Sequence, residues 1–359
     1  MSDVLPSEEG GLPWLDASGP SADLVVSTRV RLARNLAGVP FTGRNSEADR
    51  EGVVAQVAAA AADAPALSES ALHRLDGLSL AGRIWLQERQ LASRELSAPD
   101  SSGEPRRGAA LLIGRSFGVL LNEEDHLRVQ GLSSGFALDE AFALAERVDD
   151  DLGARLSFAF HPEFGYLTAC PTNVGTGLRA SVLIHLPGLV FTREIGKVLQ
   201  GLAQVGLTYR GLYGEGSEVL GHLFQLSNQT TLGKSEAELL DHLGRLVRQV
   251  LDCERQARDV LRREAMPMVE DRVWRAWGLV RHARAMTFEE LVELWSAVRL
   301  GVGLELLRGV SLATLNHVLV QAQRAHLAHA NGIGLDDEAL AVHRATLVRR
   351  LLADEGRRP

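Results

Sequence analysis

The stretch Ser235-Glu236-Ala237-Glu238 is a capping box, in which a serine hydroxyl and a glutamate three residues on satisfy N–H groups that a helix start leaves unpaired. It opens a run that reads as one helix to about Arg263, longer than a typical globular helix. A helix of that length divides the chain. Before it, glycine loops alternate with apolar, β-branched segments; past Met266-Pro267-Met268 the periodicity is helical. The expected fold class is α+β: a mostly antiparallel sheet with flanking helices over residues 24–260, then a small all-helical domain over 265–359. Residues 1–23, rich in Gly, Pro, Ser and acidic side chains, are expected to run extended over the surface. The length of 359 residues agrees with two domains, because single cores rarely grow past ~250–300 residues.

A net charge of −8 provides no global basic field, so nucleic acid is not an expected partner. The two cysteines, Cys170 and Cys253, can build neither a disulfide framework nor a zinc site. The acidic segment Met1–Glu9 lacks the basic-then-apolar layout of a signal peptide, and the longest apolar run, Ala55 to Ala62, is too short to span a bilayer. A soluble, cytoplasmic protein without membrane contact is expected.

The alternation in Val25–Asn35 predicts a strand with Arg29 and Arg31 on one face and Val30 and Leu32 on the other. Ser46 is the N-cap of a helix to Ala62, and Leu67–Leu91 reads as a second helix with Leu75, Leu78, Leu86 and Leu91 in the core. Ala109–Ile113 and Phe117–Leu121 are strands, Leu138–Val148 a helix, and His161–Gly165 a turn between strands. Leu178–Leu186 is a buried strand, and Thr192 is expected to cap a helix to Val205. Strands follow at Leu207–Leu212 and Val219–Ser227. In the last domain, helices are expected from Thr287, over Leu312–His329 and over Glu338–Leu352.

Four segments carry candidate chemistry. Arg29 and Arg31, beside Ser27 and Thr28, either grip neighbouring anionic oxygens or form a solvated strand edge. Asn122-Glu123-Glu124-Asp125-His126-Leu127-Arg128 directly follows an apolar strand. Its carboxylates suit a cationic substrate and general-base work, and a surface turn would tolerate the same residues. Cys170-Pro171-Thr172-Asn173-Val174-Gly175-Thr176-Gly177-Leu178-Arg179 is a glycine loop that lets backbone approach a ligand, with an arginine matched to phosphate at its end. It is neither a P-loop nor a dinucleotide turn, and it also reads as a simple turn between strands. Arg210-Gly211-Leu212-Tyr213-Gly214-Glu215 presents a glutamate between glycines.

Taken together and in this order, the four segments resemble the ATP:guanido phosphotransferases, the family of creatine and arginine kinases, over roughly residues 24–255. The likeness is greatest to the bacterial protein-arginine kinases. The metabolite kinases carry an extra N-terminal helical domain not seen here, and they have an arginine where this chain has Tyr213. The resemblance implies that Arg29, Arg31, Arg128, Arg179 and Arg210, with Ser27 and Thr28, bind ATP, and that Mg²⁺ rides on the nucleotide rather than on protein ligands. It implies that Glu124 is the main base and Glu215 orienter and co-base, while Asp125 points to the other face. Cys170, with Asn173 nearby, matches the family's reactive cysteine, in a tuning or oxidation-sensing role.

The implied partners are arginine-bearing proteins, a zinc-binding activator, a Clp-type protease and a second copy of the chain. One departure stands out. The Arg-Asp-x-x-Arg-Ala motif that reads phosphoarginine in that branch is here Leu340-Ala341-Val342-His343-Arg344-Ala345, so only Arg344-Ala345 remains. Arg344 is then either a residual anion site or part of a helix face.

Overall fold

The computed structural model describes residues 12–99, 107–211, 219–332 and 336–355. After a 3-10 turn at Pro13–Leu15, the chain forms β1 (Val25–Arg34), α1 (Glu47–Ala62), β2 (Ala71–Arg74), α2 (Leu80–Glu88) and α3 (Arg94–Ser97). β3 (Ala110–Ile113), β4 (Phe117–Leu121), β5 (Leu127–Ser134) and α4 (Leu138–Gly153) come next. A short hairpin of β6 (Phe160–His161) and β7 (Gly165–Tyr166) precedes β8 (Leu178–His185), α5 (Pro187–Phe191), α6 (Ile195–Gln204), β9 (Leu207–Arg210) and β10 (Leu223–Asn228). The remainder is helical: α7 (Glu236–Glu264), α8 (Met266–His282), α9 (Phe288–Gly303), α10 (Leu312–Gln321), α11 (Arg324–Asn331) and α12 (Asp337–Glu355).

Eight strands form one sheet in the order β2-β3-β4-β5-β1-β8-β10-β9, with antiparallel pairing throughout. Side chains alternate across such a sheet. One set, including Val30, Leu32, Val119, Val129, Ala180, Val182 and Leu226, joins α1, α4 and α7 in the main core. Gly131 is there because α4 crosses β5 closely: a Cβ on it would lie 2.2 Å from Ala141 O. Helical elements cover parts of the opposite face. α2 and α3 lie over β3 and β4 through Leu75, Trp85, Leu86, Leu111 and Leu120. A third cluster joins Leu132 and Leu223 to Trp295, Val298 and Leu319 of the helical part. Among the described residues, the sheet between them stays partly exposed.

The capping box at Ser235 forms as expected, with Ser235 Oγ accepting from Glu238 N and the glutamate answering on Ser235 N. α7 spans both units: Leu243 and Val247 belong to the sheet core, Leu261 to the helical one.

Several expectations are corrected. Leu67–Leu91 is not one helix; it holds β2 and α2, although Leu75, Leu78, Leu86 and Leu91 are all buried as expected. Thr192 ends α5 rather than opening a helix, its hydroxyl donating to Gly188 O at 2.9 Å. The helix expected over 312–329 breaks between α10 and α11. The strand after the second glutamate starts at Leu223 rather than Val219. Of the first 23 residues, Leu12, Trp14 and Leu15 are buried rather than lying over the surface, and Asn316 Nδ2 donates to Leu15 O at 3.1 Å. The N-terminal segment is thereby a strap between the two units.

Candidate active site

Antiparallel register decides which side chains share the open face. Arg31 stands directly opposite Arg179 of β8 and Gln130 of β5; Ala33 stands opposite Arg128; Arg29 stands opposite Ser181. On the other side of β10, Gln225 pairs with Arg210. By strand parity, Arg29, Arg31, Arg128, Arg179 and Arg210 all project from the same face of four strands.

Like charges directly opposite one another in a sheet are destabilising. The protonation equilibria register this. Desolvation, followed by the positive neighbours Arg128 and Arg179, brings the Arg29 guanidinium down to about 10. Arg31 is lowered well below its ordinary value by desolvation, then by Arg29, Arg128 and Arg179. Arginine does not give up its proton at neutral pH. The face therefore stays cationic, as a polyanion site requires. The residues present fit a nucleotide polyphosphate.

Ser27 is on this face and lines a cleft with Trp14, Arg29, Gln90, Ser181 and Gln225. Thr28 is not. It is fully buried on the other side, where its hydroxyl donates to Gly135 O at 2.7 Å and accepts from Ala137 N at 3.1 Å. Thr28 thus braces the entry to α4, a correction that strand alternation explains.

The turn between β4 and β5 sends three carboxylates in three directions. Asn122 adopts φ 58°, and its amide holds Gly108 O at 2.7 Å and Arg50 O at 3.0 Å. Glu123 turns inward to pair with Arg128 Nη1. Glu124 faces the open site; its Oε2 lies 2.5 Å from Arg128 Nη2 and accepts from Asn173 Nδ2 at 3.4 Å. Asp125 is buried, its Oδ1 accepting from Asn35 Nδ2 and Ala169 N, each at 2.7 Å. Desolvation raises the Asp125 carboxyl against those bonds. Burial also works to lower Arg128, and Glu123, Glu124 and Asp125 outweigh it, so this guanidinium stays above its ordinary value. His126 accepts from Leu36 N at Nδ1 and donates to Pro40 O from Nε2; burial keeps it neutral, and it serves the turn.

The glycine loop sits beside this turn. Pro171–Asn173 form a 3-10 turn, with Cys170 Sγ 3.0 Å from Thr172 Oγ1. Gly175 has φ 110°, and a Cβ there would lie 2.6 Å from Thr231 O, so only glycine lets the loop lie against that strand exit. Arg34 anchors the loop from below, donating to Thr176 O at 2.9 Å, pairing with Asp149 at 2.7 Å and stacking on Tyr166.

Glu215 and Tyr213 lie outside the described residues, in the connection that follows β9. Arg344 is buried: its Nε donates to Ala322 O and its Nη1 to Met286 O, each at 2.9 Å. It ties α12 to the preceding helices and presents no open anion site. Reading the sequence missed Gln90, which accepts from Arg29 Nη1, and Asn35, which fixes Asp125. Neither stands near its partner in the chain, so no local pattern could reveal them. Among the described residues no group of three or more His, Cys, Asp or Glu side chains could hold a metal ion, and no helix is long and apolar enough to cross a membrane.

Known proteins resemble this chain in both its sheet and its helical part. Residues 53–257 match the ATP:guanido phosphotransferase C-terminal catalytic domain, and residues 266–358 match the C-terminal domain of the protein-arginine kinase McsB. A protein-arginine kinase of Moorella thermoacetica is 45% identical over 344 residues, covering 95% of this chain and 97% of the relative. One of Bacillus subtilis is 38% identical over 341 residues, covering 94% and 93%. Among solved structures, the substrate-free duplicated taurocyamine kinase of Schistosoma mansoni superposes with a TM-score of 0.56 at 28% identity, over 70% of this chain and 36% of that one. A lombricine kinase shares the fold with a TM-score of 0.56 at 24% identity, over 68% and 71%. With its catalytic sheet and its helical C-terminal part both matched, the chain belongs to the ATP:guanido phosphotransferase family.

Proposed function

We propose that the protein is an ATP-dependent kinase of arginine side chains in proteins. The observation that carries this reading is one open sheet face bearing five arginines, with the Glu124 carboxylate at its edge beside Asn173. Phosphoryl transfer spreads negative charge over oxygens, so its catalysis is mostly positioning and electrostatic stabilisation. Arg29, Arg31, Arg128, Arg179 and Arg210 are suited to hold the polyphosphate, and Ser27 sits in the adjoining cleft. Mg²⁺ would arrive bound to the nucleotide and would supply further neutralisation of phosphate charge.

The acceptor guanidinium is protonated and a poor nucleophile. Glu124 accepts hydrogen bonds from it, aims one nitrogen at the γ-phosphorus and takes a proton as the P–N bond forms and the P–O bond to ADP breaks. Glu215 is proposed as the second carboxylate on that guanidinium. Cys170, three residues before Asn173 in the glycine loop, is proposed in a tuning or oxidation-sensing role. Protein arginine rather than a free guanidino compound is the acceptor favoured by the relatives named protein-arginine kinase and by the matched C-terminal domain. A zinc-binding activator, a Clp-type protease as consumer of the marked proteins, a homodimer and a cytoplasmic location follow from the resemblance.

The test is mass spectrometry, in acid-free handling, of an arginine-rich protein incubated with the enzyme and Mg-ATP, with free arginine run in parallel. Phosphoarginine on the protein is the expected result. Label confined to free arginine would move the protein to the metabolite kinases.

A further inference from the structure

α2 ends against the arginine face in an unusual way. The helix stops at Glu88, and Gln90 has φ 62°. This position just past a helix end favours glycine, because a Cβ is penalised in the left-handed region. Glutamine is kept there, and its groups are engaged on the cradle side. Gln90 Oε1 accepts from Arg29 Nη1 at 3.0 Å, and Gln90 O accepts from Gln130 Nε2 at 3.0 Å. Arg29 and Gln130 stand on neighbouring strands of the open face.

Two residues earlier, the buried Glu88 carboxylate reaches into the helical domain. It accepts from Ala325 N at 2.8 Å, His326 N at 3.0 Å and His326 Nδ1 at 2.7 Å. These donors belong to the first turn of α11, which has no side-chain cap of its own. Trp85, one turn back along α2, stacks on the His326 ring at 5.2 Å. One turn of backbone therefore holds an arginine of the cradle at one end and a helix of the C-terminal domain at the other.

We infer that Gln90 is the positioning residue for Arg29, and that the Glu88–Gln90 turn couples the seat of α11 to the phosphate cradle. The inference rests on the reading of Arg29 as a phosphate ligand. A long guanidinium without an oriented partner spends its time in many rotamers, and an anchor narrows them. A neutral amide oxygen does this without cancelling the charge that the phosphates need. A carboxylate at the same place would compete with ATP for Arg29. The chemistry thus explains both the strained backbone position and the choice of glutamine over glutamate.

The experiment is steady-state kinetics of the full chain with varied Mg-ATP and an arginine-rich acceptor protein, alongside thermal melting. Gln90→Gly suits the φ of the turn and keeps the carbonyl that Gln130 uses, so only the side-chain acceptor is lost. Its Tm should match or exceed that of the parent, with the KM for ATP raised roughly five- to tenfold and the KM for the acceptor unchanged. Gln90→Glu should raise the KM for ATP further. His326→Ala, made on the far side of the coupling, should also raise the KM for ATP, and its effect should not add to that of Gln90→Gly. A KM for ATP within twofold of the parent in folded Gln90→Gly overturns the positioning role. A His326→Ala protein that loses only Tm overturns the coupling. Arg29→Ala separates the levels: if it too leaves the KM for ATP unchanged, the cradle reading itself falls; if it raises that KM strongly while Gln90→Gly does not, only the present inference falls.

Discussion

Replacing Glu124 by glutamine should separate chemistry from folding. The Glu124 side chain is 44% exposed, and its partner Arg128 keeps a second carboxylate, Glu123, when it is changed. A half-exposed ion pair contributes about 0–1 kcal/mol to stability, so Tm should move by no more than about 4 °C. The KM for ATP should stay within about threefold, because Arg128 remains paired and oriented. Turnover should fall by roughly 10²–10⁴, the usual contribution of a positioned general base. The neighbouring substitution Glu123→Gln is the contrast. Its side chain is only 2% exposed, and losing it takes the closest counter-charge from the partly buried Arg128, at about 1–3 kcal/mol. The assay is phosphoarginine formed on an arginine-rich acceptor under non-acidic conditions, with melting curves on the same samples. If Glu124→Gln turns over within threefold of the parent, the base lies elsewhere. If Glu123→Gln is no less stable than Glu124→Gln, the division of labour drawn from burial is wrong.

Acid should destabilise the fold through histidines that burial or partial burial holds below their ordinary value. His185 is held well below its ordinary value, and His222 and His126 are lowered, each by burial first. Below pH ~6.5 the unfolded chain then binds more protons than the native one, so stability drops as pH falls, by up to about 1.4 kcal/mol per pH unit per histidine. A Tm that stays flat from pH 7.5 to 5.5 would contradict this. Glu254→Ala should cost about 3–5 kcal/mol in urea denaturation, since this buried carboxylate accepts from Gly188 N, Leu189 N and Arg258 Nε. Gly175→Ala should push the glycine loop off Thr231 O and displace Asn173 from Glu124. A misplacement of about 1 Å can reduce turnover on the order of 100-fold, and kinetics at saturating ATP would measure it.

Much of the secondary structure was legible because it follows from local rules. Ser46 and Ser235 are followed three residues on by Asp49 and Glu238, and both capping boxes form. The alternation in β1 correctly put Arg29 and Arg31 on one side, and the same rule, applied further, would have removed Thr28 from the site. What failed was non-local. The break between α10 and α11 is satisfied by Glu88, 237 residues from Ala325. β2 looks helical because its apolar spacing fits either period, and only pairing with β3 settles it. Trp14 and Leu15 read as surface because their burial depends on the helical domain far along the chain.

The sequence by itself determined the composition of the candidate site: which arginines and which carboxylates stand in which order, and where glycine must let backbone pass. Periodicity and capping are short-range, so a single chain displays them. The tertiary structure decided the assignments. Register across four strands gathered five arginines onto one face, and the β4–β5 turn gave Glu123, Glu124 and Asp125 three separate destinations. Helix packing seated Arg344 against two carbonyls rather than in solvent. Such outcomes depend on which groups lose water together, and burial is a property of the assembled fold rather than of any segment.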